Sequence, residues 1–355
     1  MRETGVTVSP AGLADVLGAL RVCVTSVRVQ QGLVSLDDYS GGGRPTSTVC
    51  LSGDGHVGFG ENVAFTAAEH ARFAANAAGL LCGAGTDGTD GRTIVGRGDA
   101  RVRSDSPSNE RAAVEAALID LGMRQASVTF ADLTGATEQR FRFVRSFDAC
   151  ADPSARVQQL RTLGYPGDFK IDVDPAWDGP TLKALAAQGG IAILDFKGRG
   201  DAALVAAVVA LFPNTILEDP PPGTGPACTS NRIARDVSIT DTRAVAVALT
   251  HKESINLKAP RMGGPLTVLR GLELISRNGI NAGIAADITT YFGGMFEVGV
   301  GRPQARQLAA LFTADAPNDL APIPSVGGEY AHASDALIRL DAPGFGSISP
   351  RVDLQ

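Results

Sequence analysis

The stretch SINLKAPRMGG, residues 254–264, decides how this chain is expected to fold, because it is a buried strand with polar residues on one face. Asn256 and Lys258 are two residues apart, and side chains at that spacing in a strand point to the same side. A charge inside a sheet is costly unless an opposite charge meets it. The sequence therefore predicts that this strand ends in a site where an anionic group faces Lys258.

On both sides of this strand, short apolar runs alternate with helical stretches. The runs are FRFVRSFDA (141–149), DFKIDVD (168–174), GIAILDFKG (190–198), NTILEDP (214–220), NRIARDVSI (231–239), ESINLKAPR (253–261), GINAGIAAD (279–287) and an eighth near NDLAPI (318–323). This alternation predicts a parallel sheet, and about eight units predict a closed (β/α) barrel, with an open doubly wound sheet as the alternative. No G-x-G-x-x-G segment follows a strand and opens a helix in this part of the chain, and no P-loop motif occurs, which argues against a nucleotide cofactor.

The chain before the barrel has a different pattern. Strand-like segments fill residues 21–66, and residues 67–82 and 108–123 have helical spacing. The GDG triplet at 53–55 separates two strand-like runs and predicts a hairpin. We expect Ser108 to be the N-cap of the second helix and Gly122 to lie near its end. These residues therefore predict an α+β unit of about 125 residues.

Composition argues against several classes of protein. The net charge of -6 and the pI near 5.3 offer no basic surface for nucleic acid, and no apolar run reaches the ~18 to 20 residues of a membrane span. Five scattered cysteines without CxxC spacing predict neither a disulfide framework nor a zinc site and favour the cytoplasm. Asp15 interrupts the apolar segment near the N-terminus, so we expect no signal peptide and treat residues 1–20 as an extension of unknown role.

Charged residues lie at the ends of five successive strands of the predicted barrel, where catalytic groups of such barrels sit. They are, in chain order, Lys170, Asp172, Asp195, Glu218, Asp236 and Lys258. The spacing of one β/α unit puts the carboxylates of Asp195, Glu218 and Asp236 side by side. Oxygen donors without His or Cys suit a hard cation such as Mg²⁺. Because a cation lowers the pKa of a neighbouring lysine, we predict that Lys258 acts as a base facing a metal-bound substrate.

A simpler interpretation competes with this one, because an acidic residue at a strand end is often the cap of the next helix. We interpret Asp174 and Asp219 as a cap or a solvated edge, and Lys197 as a rim lysine that extends to solvent. None of the four histidines has metal-ligand spacing, and we expect structural or surface roles for them. Three consecutive strands with flanking lysines favour the metal site over unrelated caps.

Four segments resemble the enolase superfamily, and within it the muconate lactonizing enzyme and mandelate racemase type. GHVGFGENV (55–63) is similar to the family's G-x-G-E strand, and AAVEAALIDLGM (112–123) to its A-x-x-A-L-D-L helix. INLKAPRMGG (255–264) is similar to the sixth-strand motif NIKxxRxGG, and GGMFEVGVG (293–301) to the segment GxMxExGIG after the seventh strand. The segments occur in the family's order and cover most of the chain.

The resemblance implies an α/β fold in which a modified (β/α)7β barrel of TIM type, residues 131–324, carries an α+β capping domain. Residues 1–130 would form this cap and residues 325–355 would complete it. It further implies Mg²⁺ held by Asp195, Glu218 and Asp236, and abstraction of the proton α to a carboxylate to give an enediolate that the metal stabilises. For partners, we expect a small carboxylate substrate and a homo-oligomer, and neither nucleic acid nor membrane. The loop around residues 33–46 and the segment after Gly60 would close over the substrate.

The chain departs from the family pattern at three places. The second-strand K-x-K reads Lys170-Ile171-Asp172, the third-strand DxN reads Asp195-Phe196-Lys197, and the D-x-D of dipeptide epimerases reads Asp319-Leu320-Ala321. These departures favour a scheme with one base. Lys258 would remove or return the α-proton, Lys170 would stabilise the carboxylate, and Asp172 is a candidate proton relay.

We therefore predict a Mg²⁺-dependent lyase or isomerase that acts by elimination or cycloisomerisation. Two alternatives stay open at this point. One is an epimerase or racemase in which Asp172 or Lys197 replaces the missing lysine. The other is a barrel that binds a metal and a carboxylate without turnover.

Overall fold

The computed structural model describes residues 8–34, 43–81, 93–95, 106–223, 230–282, 288–322 and 335–346. Helices and strands alternate at the start of the chain as expected for an α+β unit. The elements are α1 Pro10–Ala19, β1 Arg21–Val22, β2 Ser26–Val34, β3 Arg44–Gly53, β4 His56–Asn62, α2 Ala67–Leu81, β5 Thr93–Ile94, α3 Ser108–Ala126, α4 Phe130–Thr134 and β6 Glu138–Arg142.

Strands β2, β3 and β4 form an antiparallel sheet, and the predicted hairpin turns at Asp54 and Gly55 between β3 and β4. Helix α3 packs closely on β4. A Cβ atom on Gly60 would lie 1.9 Å from the carbonyl oxygen of Ala113, so any larger residue would push the helix off the strand. The G-x-G-E segment is therefore a strand whose glycine sets the helix contact.

Helix α3 differs from the prediction at both ends. Ser108 is its first helical residue rather than its cap, because Pro107 holds the cap position without a side-chain hydrogen bond. The helix continues through Gly122 to Ala126 and ends at Ser127, which is in the left-handed conformation with φ 53°. Residues 112–123 are all buried, so packing outweighs the weak helix propensity of Gly122.

The second half of the chain forms one parallel sheet. Its strands are, in spatial order, β7 Arg145–Phe147, β8 Phe169–Asp172, β9 Ile191–Asp195, β10 Ile216–Glu218, β11 Ile233–Arg235, β12 Ser254–Leu257 and β13 Thr290–Phe292. Parallel bridges from Gly293 to Asp319 and from Phe143 to Asn318 connect the two edges through the predicted eighth strand. This curled sheet has the arrangement of a TIM-type barrel and not of an open doubly wound sheet.

Helices cross between these strands. They are α5 Pro153–Thr162, α6 Gly179–Gln188, α7 Ala202–Leu211, α8 Thr242–Thr250, α9 Ala259–Met262, α10 Pro265–Ala282 and α11 Gly301–Phe312. Helices α5 to α8 each begin after an aspartate that accepts a backbone N–H hydrogen bond, namely Asp152, Asp178, Asp201 and Asp241. Because these four helices have their own N-caps, the carboxylates at the strand ends are not needed to cap them.

The interior of the sheet is layered, with alternate strands contributing to each layer as in TIM barrels. One layer is apolar apart from a single hydroxyl group and comprises Val144, Ile193, Ala234 and Tyr291. The intervening strands contribute a polar layer of Lys170, Glu218 and Asn256, all of which are buried. The interior therefore changes from apolar to charged toward the carboxyl ends of the strands.

The seventh strand lies further along the chain than the sequence predicts. The predicted run 279–287 begins inside α10, which extends to Ala282, and residues 283–287 lie outside the described residues. The strand that pairs with β12 is β13, Thr290–Phe292. A strand beginning at residue 279 is therefore wrong, because a short apolar run fits a helix face as well as a strand.

The N-terminal helix belongs to the packed core. Leu13 and Leu17 of α1 are fully buried, and the backbone N–H of Ala11 donates to Glu273 on α10 at 3.2 Å. Residues 10–19 are thus an integral element rather than an appended extension. Among the described residues, no helix combines the length and the apolar character that a membrane crossing requires.

The described tail returns to the junction between the two halves of the chain. Strand β14, Asp335–Arg339, pairs antiparallel with β6, and the ring of Phe345 packs 5.4 Å from that of Phe130. The backbone N–H of Phe345 donates to Asp120 of α3 at 2.8 Å. The division into a cap of residues 1–130 with 325–355 and a barrel of residues 131–324 remains a prediction.

Candidate active site

Strand register brings the predicted carboxylates to one end of the sheet. In the parallel ladders, Asp195 is level with Asp172 on one side and with Glu218 on the other. Asp236 directly follows β11, and Lys258 directly follows β12. The spacing of one β/α unit therefore produces the cluster that the sequence predicts.

Asp195, Glu218 and Asp236 form a compact acidic triad. One carboxylate oxygen of each lies within 4.8 Å of the others, and the residues are 0%, 0% and 5% exposed. Buried like charges at this distance repel one another. Burial raises the pKa of the central Glu218 to about 8. The charge of Lys170 opposes this rise, and the charges of Asp195 and Asp236 add to it. The three carboxylates of the triad thus repel one another unless positive groups lie beside them.

The triad fits a hard divalent cation. Mg²⁺ takes oxygen ligands at about 2.0–2.1 Å, so ligands on opposite sides of the ion are about 4.2 Å apart. At least two of the three pairs would be adjacent on the ion, about 2.9 Å apart, so the carboxylate oxygens, which lie within 4.8 Å of one another, would move closer together to bind it. Burial is the main cause of the raised pKa of Glu218, and a cation would relieve the repulsion from Asp195 and Asp236 that adds to it. No sulfur or imidazole ligand belongs to this group, which is consistent with Mg²⁺ rather than a softer metal.

Two buried lysines face the triad. Lys170 Nζ lies 2.6 Å from Glu218 Oε1 and 3.2 Å from Asp195 Oδ2, and Lys258 Nζ donates to Asp236 Oδ2 at 2.9 Å. The anionic partner predicted for Lys258 is therefore Asp236. Although burial raises the pKa of Asp236, its positive neighbours, with Lys258 foremost, hold that pKa at about 2.

Lys197 is exposed, as expected of a rim lysine, but its ammonium group turns toward the triad rather than extending to solvent. Its ammonium group contacts Asp195 Oδ2 and lies 3.2 Å from Asp172 Oδ1. The backbone of Lys197 is left-handed, with φ 52°, and its N–H donates to Asp195 Oδ1 at 3.0 Å. Two carboxylates thus attract the side chain back over its own turn, and 42% of it remains exposed.

The eighth strand adds a carboxylate to the site. Asp319 Oδ2 lies 3.4 Å from Lys170 Nζ, which therefore has three carboxylates around it. Burial lowers the pKa of Lys170, but Glu218, Asp319 and Asp195 outweigh it and raise that pKa well above its usual range. Lys170 therefore stays protonated beside the triad.

Sequence reasoning missed two polar contacts of the triad. The hydroxyl of Tyr291 donates to Glu218 Oε2 at 2.5 Å, and Arg261 Nη1 contacts Asp236 Oδ1. Arg261 lies one helical turn after Lys258 in the stretch SINLKAPRMGG, so the sequence could have indicated that it reaches the same site. Tyr291 was hidden because the sequence pattern places the seventh strand too early in the chain. Asn256, which the sequence puts beside Lys258, donates to Glu218 Oε1 at 3.2 Å.

Gly293 forms one wall of this cluster. A Cβ atom at this position would lie 2.5 Å from Lys258 Cε and 2.4 Å from Asn256 Oδ1. Any other residue would therefore displace the side chains that stand over the triad. The glycine of the GGMFEVGVG segment is thus required by the position of Lys258.

The N-terminal sheet holds the segment that follows Gly293. The carboxylate of Glu61 on β4 accepts backbone N–H hydrogen bonds at 2.8–3.1 Å from Val298, Gly299 and Gly301. Arg44 of β3 donates to the carbonyl oxygen of Met295 at 3.3 Å. We call this contact between β3, β4 and residues 295–301 the seam. Through it, the α+β unit fixes a segment that begins at the wall of the Lys258 cluster.

Asp174 and Asp219 bind backbone groups, but neither is the N-cap of helix α6 or helix α8. Asp174 accepts from the N–H of Ala176 at 2.9 Å. Asp219 accepts from the N–H groups of Asp236 and Val237 at 3.1 and 2.9 Å. Asp219 therefore also holds the turn that presents Asp236 to the triad.

Two family profiles cover most of the chain. The profile described as "Domain of unknown function (DUF8230) C-terminal domain" matches residues 137–325, and the corresponding N-terminal domain matches residues 15–133. The chain belongs to this family. No match is found among curated proteins.

Solved structures of the enolase superfamily share the fold. A superfamily member from Listeria innocua has 18% identity and a TM-score of 0.71, with 93% of this chain and 95% of that chain covered. A dipeptide epimerase from Enterococcus faecalis has 19% identity and a TM-score of 0.69 over 92% and 99% of the two chains. The muconate lactonizing enzyme from Pseudomonas putida has 18% identity and a TM-score of 0.66 over 91% and 96%. The resemblance seen in the sequence is therefore confirmed at the level of the fold.

Proposed function

We propose that the protein is a Mg²⁺-dependent lyase or isomerase that removes the proton α to the carboxylate of a small substrate. The observation that carries the proposal is the buried triad of Asp195, Glu218 and Asp236 with an amine of Lys258 2.9 Å from one of its carboxylates. Elimination would follow from this proton removal, and cycloisomerisation would use its reverse, the addition of a proton to the α-carbon. The superfamily fold supports this chemistry because some structures that share it are named as epimerases and cycloisomerases.

The triad would hold the cation. When bound, Mg²⁺ would supply positive charge to the substrate carboxylate as negative charge develops on it. Lys170 would add a fixed positive charge on the side of β8, because its ammonium group is buried and lies within 3.2 Å of two triad residues. Burial of all these groups keeps bulk water from screening the charges.

The amine of Lys258 would act as the base. In its neutral form it would take the α-proton, and the electron pair of the broken C–H bond would stay on the substrate as an enediolate. Gly293 would leave room for the amine, because a Cβ atom at this position would lie 2.5 Å from Lys258 Cε. Loss of a β-substituent with its electron pair would complete an elimination. In a cycloisomerisation, attack of an internal carboxylate at the β-carbon would form the enediolate, and the ammonium group of Lys258 would then give a proton to the α-carbon. Asp172 would relay protons at the edge of the site through Lys197, which lies 3.2 Å away.

A second candidate is epimerisation or racemisation with two bases. The position of Lys197 favours it, because this lysine approaches the triad from the side of β9 while Lys258 approaches from the side of β12. Two amines on opposite sides of a planar enediolate could return the proton to either face. Inversion at the α-carbon would distinguish this reaction from the scheme with one base.

Deuterium exchange tests the proposal even while the substrate is unidentified. The protein is incubated in D₂O with Mg²⁺ and a panel of small carboxylic acids, and loss of the α-proton signal is followed by NMR. We expect exchange that depends on Mg²⁺ and falls by at least ~10²-fold in Lys258→Met, since a positioned base contributes that much. Methionine keeps the apolar stem of the lysine and removes the amine.

Lys183→Met is the matched control, because Lys183 is exposed on helix α6. Its exchange rate should equal that of the wild type. If Mg²⁺ binds to the triad but no acid of the panel exchanges, the barrel binds without turnover and the proposed reaction is wrong. Exchange that survives in Lys258→Met would transfer the role of base to Asp172 or Lys197.

A further inference from the structure

We infer that Tyr291 is a positioning residue of the metal site, because its phenol fixes the carboxylate of Glu218. The inference rests on the proposed function, in which Glu218 is a ligand of the cation. It concerns a residue in the layer below the charged groups.

The surroundings of Tyr291 explain why its hydroxyl group has this role. The ring is fully buried, and its neighbours in the layer are the aliphatic side chains of Val144, Ile193 and Ala234. Such a layer offers no polar partner, and a buried tyrosine hydroxyl needs one. The hydroxyl meets this need by donating to Glu218 Oε2 at 2.5 Å. Tyr291 therefore joins the apolar layer to the triad through a single hydrogen bond.

The two oxygens of Glu218 have donors of different kinds. Oε1 accepts from the ammonium group of Lys170 and from the amide of Asn256, at 2.6 and 3.2 Å. Among the described residues, the donor to Oε2 is the phenol of Tyr291. Asn256 and Tyr291 are level in the ladder between β12 and β13, so both neutral donors reach Glu218 from one side of the barrel.

Neutral donors and ammonium groups respond differently to a metal. A cation that enters the triad repels Lys170, because both are positive and both seek the same carboxylate. It does not repel a phenol, which keeps its hydrogen bond while the other face of the carboxylate binds the ion. Tyr291 would therefore hold Glu218 in one orientation in the metal-free and the metal-bound protein. Partners that orient a ligand in this way typically contribute 10- to 100-fold in metal affinity.

Replacement of Tyr291 by phenylalanine tests the inference with Mn²⁺ as the probe. Binding of Mn²⁺ to the full-length protein is titrated by EPR, which reports both the free ion and the line shape of the bound ion. We expect Tyr291→Phe to weaken binding by roughly 10- to 100-fold and to change the spectrum of the bound ion. A residue with only a packing role would leave that spectrum unchanged.

Tyr165→Phe is the matched control. Tyr165 is also buried, but its hydroxyl donates to the backbone oxygens of Phe143 and Asp168, at 3.3 and 3.1 Å, and contacts no triad residue. Its Mn²⁺ affinity and spectrum should match those of the wild type. Equal effects of the two substitutions would mean that metal binding senses general destabilisation, and the inference would be wrong.

The remaining outcomes separate the inference from the proposed function. If the wild type binds Mn²⁺ and Tyr291→Phe binds it with the same affinity and spectrum, the inference fails and the proposed function stands. If the wild type binds no Mn²⁺, both fail. A double-mutant comparison separates a folding defect from a positioning role. In the Glu218→Gln background, Tyr291→Phe should cause no further loss of Mn²⁺ affinity. A full further loss there would overturn the inference.

Discussion

The triad and the seam both bury carboxylates, but they satisfy them in different ways. At the triad, Asp236 and Glu218 are met by side-chain cations, among them Lys258 and Lys170 at 2.9 and 2.6 Å. At the seam, Glu61 is met by backbone N–H groups and by the hydroxyl of Thr46. The first set of donors sits on flexible side chains, whereas most of the second set belongs to the main chain.

This difference indicates which carboxylates can exchange partners. An ammonium group can move when a metal or a substrate arrives, and its charge then becomes available to the newcomer. The backbone N–H groups of Val298, Gly299 and Gly301, which lie just before or at the start of helix α11, can move only if that stretch of main chain moves. Glu61 therefore keeps the same hydrogen-bond donors and connects the two halves of the chain, while the carboxylates of the triad can exchange lysine partners for a metal or a substrate. Burial alone would not have separated the two sites, since both are buried.

The comparison is tested most strongly at Gly293, where the seam segment meets the cluster. In Gly293→Ala, the new methyl group would lie 2.5 Å from Lys258 Cε, so the amine must move. Moving a catalytic group by about 1 Å can reduce a rate by about 10²-fold. We expect the deuterium exchange rate to fall by that factor, and we expect the protein to remain folded because the displaced atoms belong to side chains.

Gly79→Ala serves as the control for this substitution. Gly79 lies in helix α2, and nothing lies within 4 Å of the position that its Cβ would take. Alanine there should leave exchange unchanged and stabilise the protein by about 0.5–1 kcal/mol, because glycine weakens a helix interior. Exchange at the wild-type rate in Gly293→Ala would mean that the position of Lys258 is not critical, and the division between movable and fixed partners would lose its main support.

The seam provides the next largest expected effect. In Glu61→Gln, one acceptor oxygen becomes an amide that faces backbone N–H groups, because both carboxylate oxygens accept from the main chain. Leaving such buried donors unsatisfied costs about 1–3 kcal/mol. We expect the free energy of unfolding to fall by that amount in denaturant titrations, while the Mn²⁺ affinity of the folded protein stays the same.

Glu69→Gln is the matched comparison for Glu61→Gln. Glu69 also accepts backbone N–H groups, from Phe65 and Thr66, but at an exposed helix start. Water can replace the lost acceptor there, so the loss of stability should be smaller. A large fall in Mn²⁺ affinity in Glu61→Gln would contradict our view that the seam is separate from the triad in its function.

The sequence predicted the barrel and the triad because both follow from regular patterns. Residues at the ends of β9, β10 and β11 recur once per β/α unit, and the parallel register turns that recurrence into proximity. The acidic character of the three positions then indicates a hard cation. No long-range information is needed for either step, so the inference could be made from the chain alone.

The parts that the sequence did not predict depend on contacts between distant segments. The bond from Glu61 to Gly301 spans 240 residues, and nothing in either segment specifies the other. The direction of the Lys197 side chain was not predicted, because its contacts with Asp195 and Asp172 are tertiary contacts that a strand pattern does not contain. Tyr291 was missed because a short apolar run before it also fits a strand. Local periodicity thus predicts elements, and tertiary contacts decide the details.

The smallest expected effect concerns His70, the buried histidine beside the seam. Its Nε2 faces the carbonyl oxygen of Ala64 at 3.2 Å, so this nitrogen carries the hydrogen, and Nδ1 accepts from the hydroxyl of Ser47 at 2.8 Å. Burial and the charge of Arg44 lower the pKa of His70, against the opposing effects of the Ala64 carbonyl and Glu69. The unfolded chain therefore binds a proton more readily than the folded one. Stability should fall as the pH decreases through and below the unfolded pKa of ~6.5.

We expect the loss of unfolding free energy between pH ~7.5 and ~5.5 to be smaller in His70→Gln, whose amide can still donate to Ala64. Equal losses in the two proteins would show that His70 can be protonated in place, and that the seam has a movable partner after all.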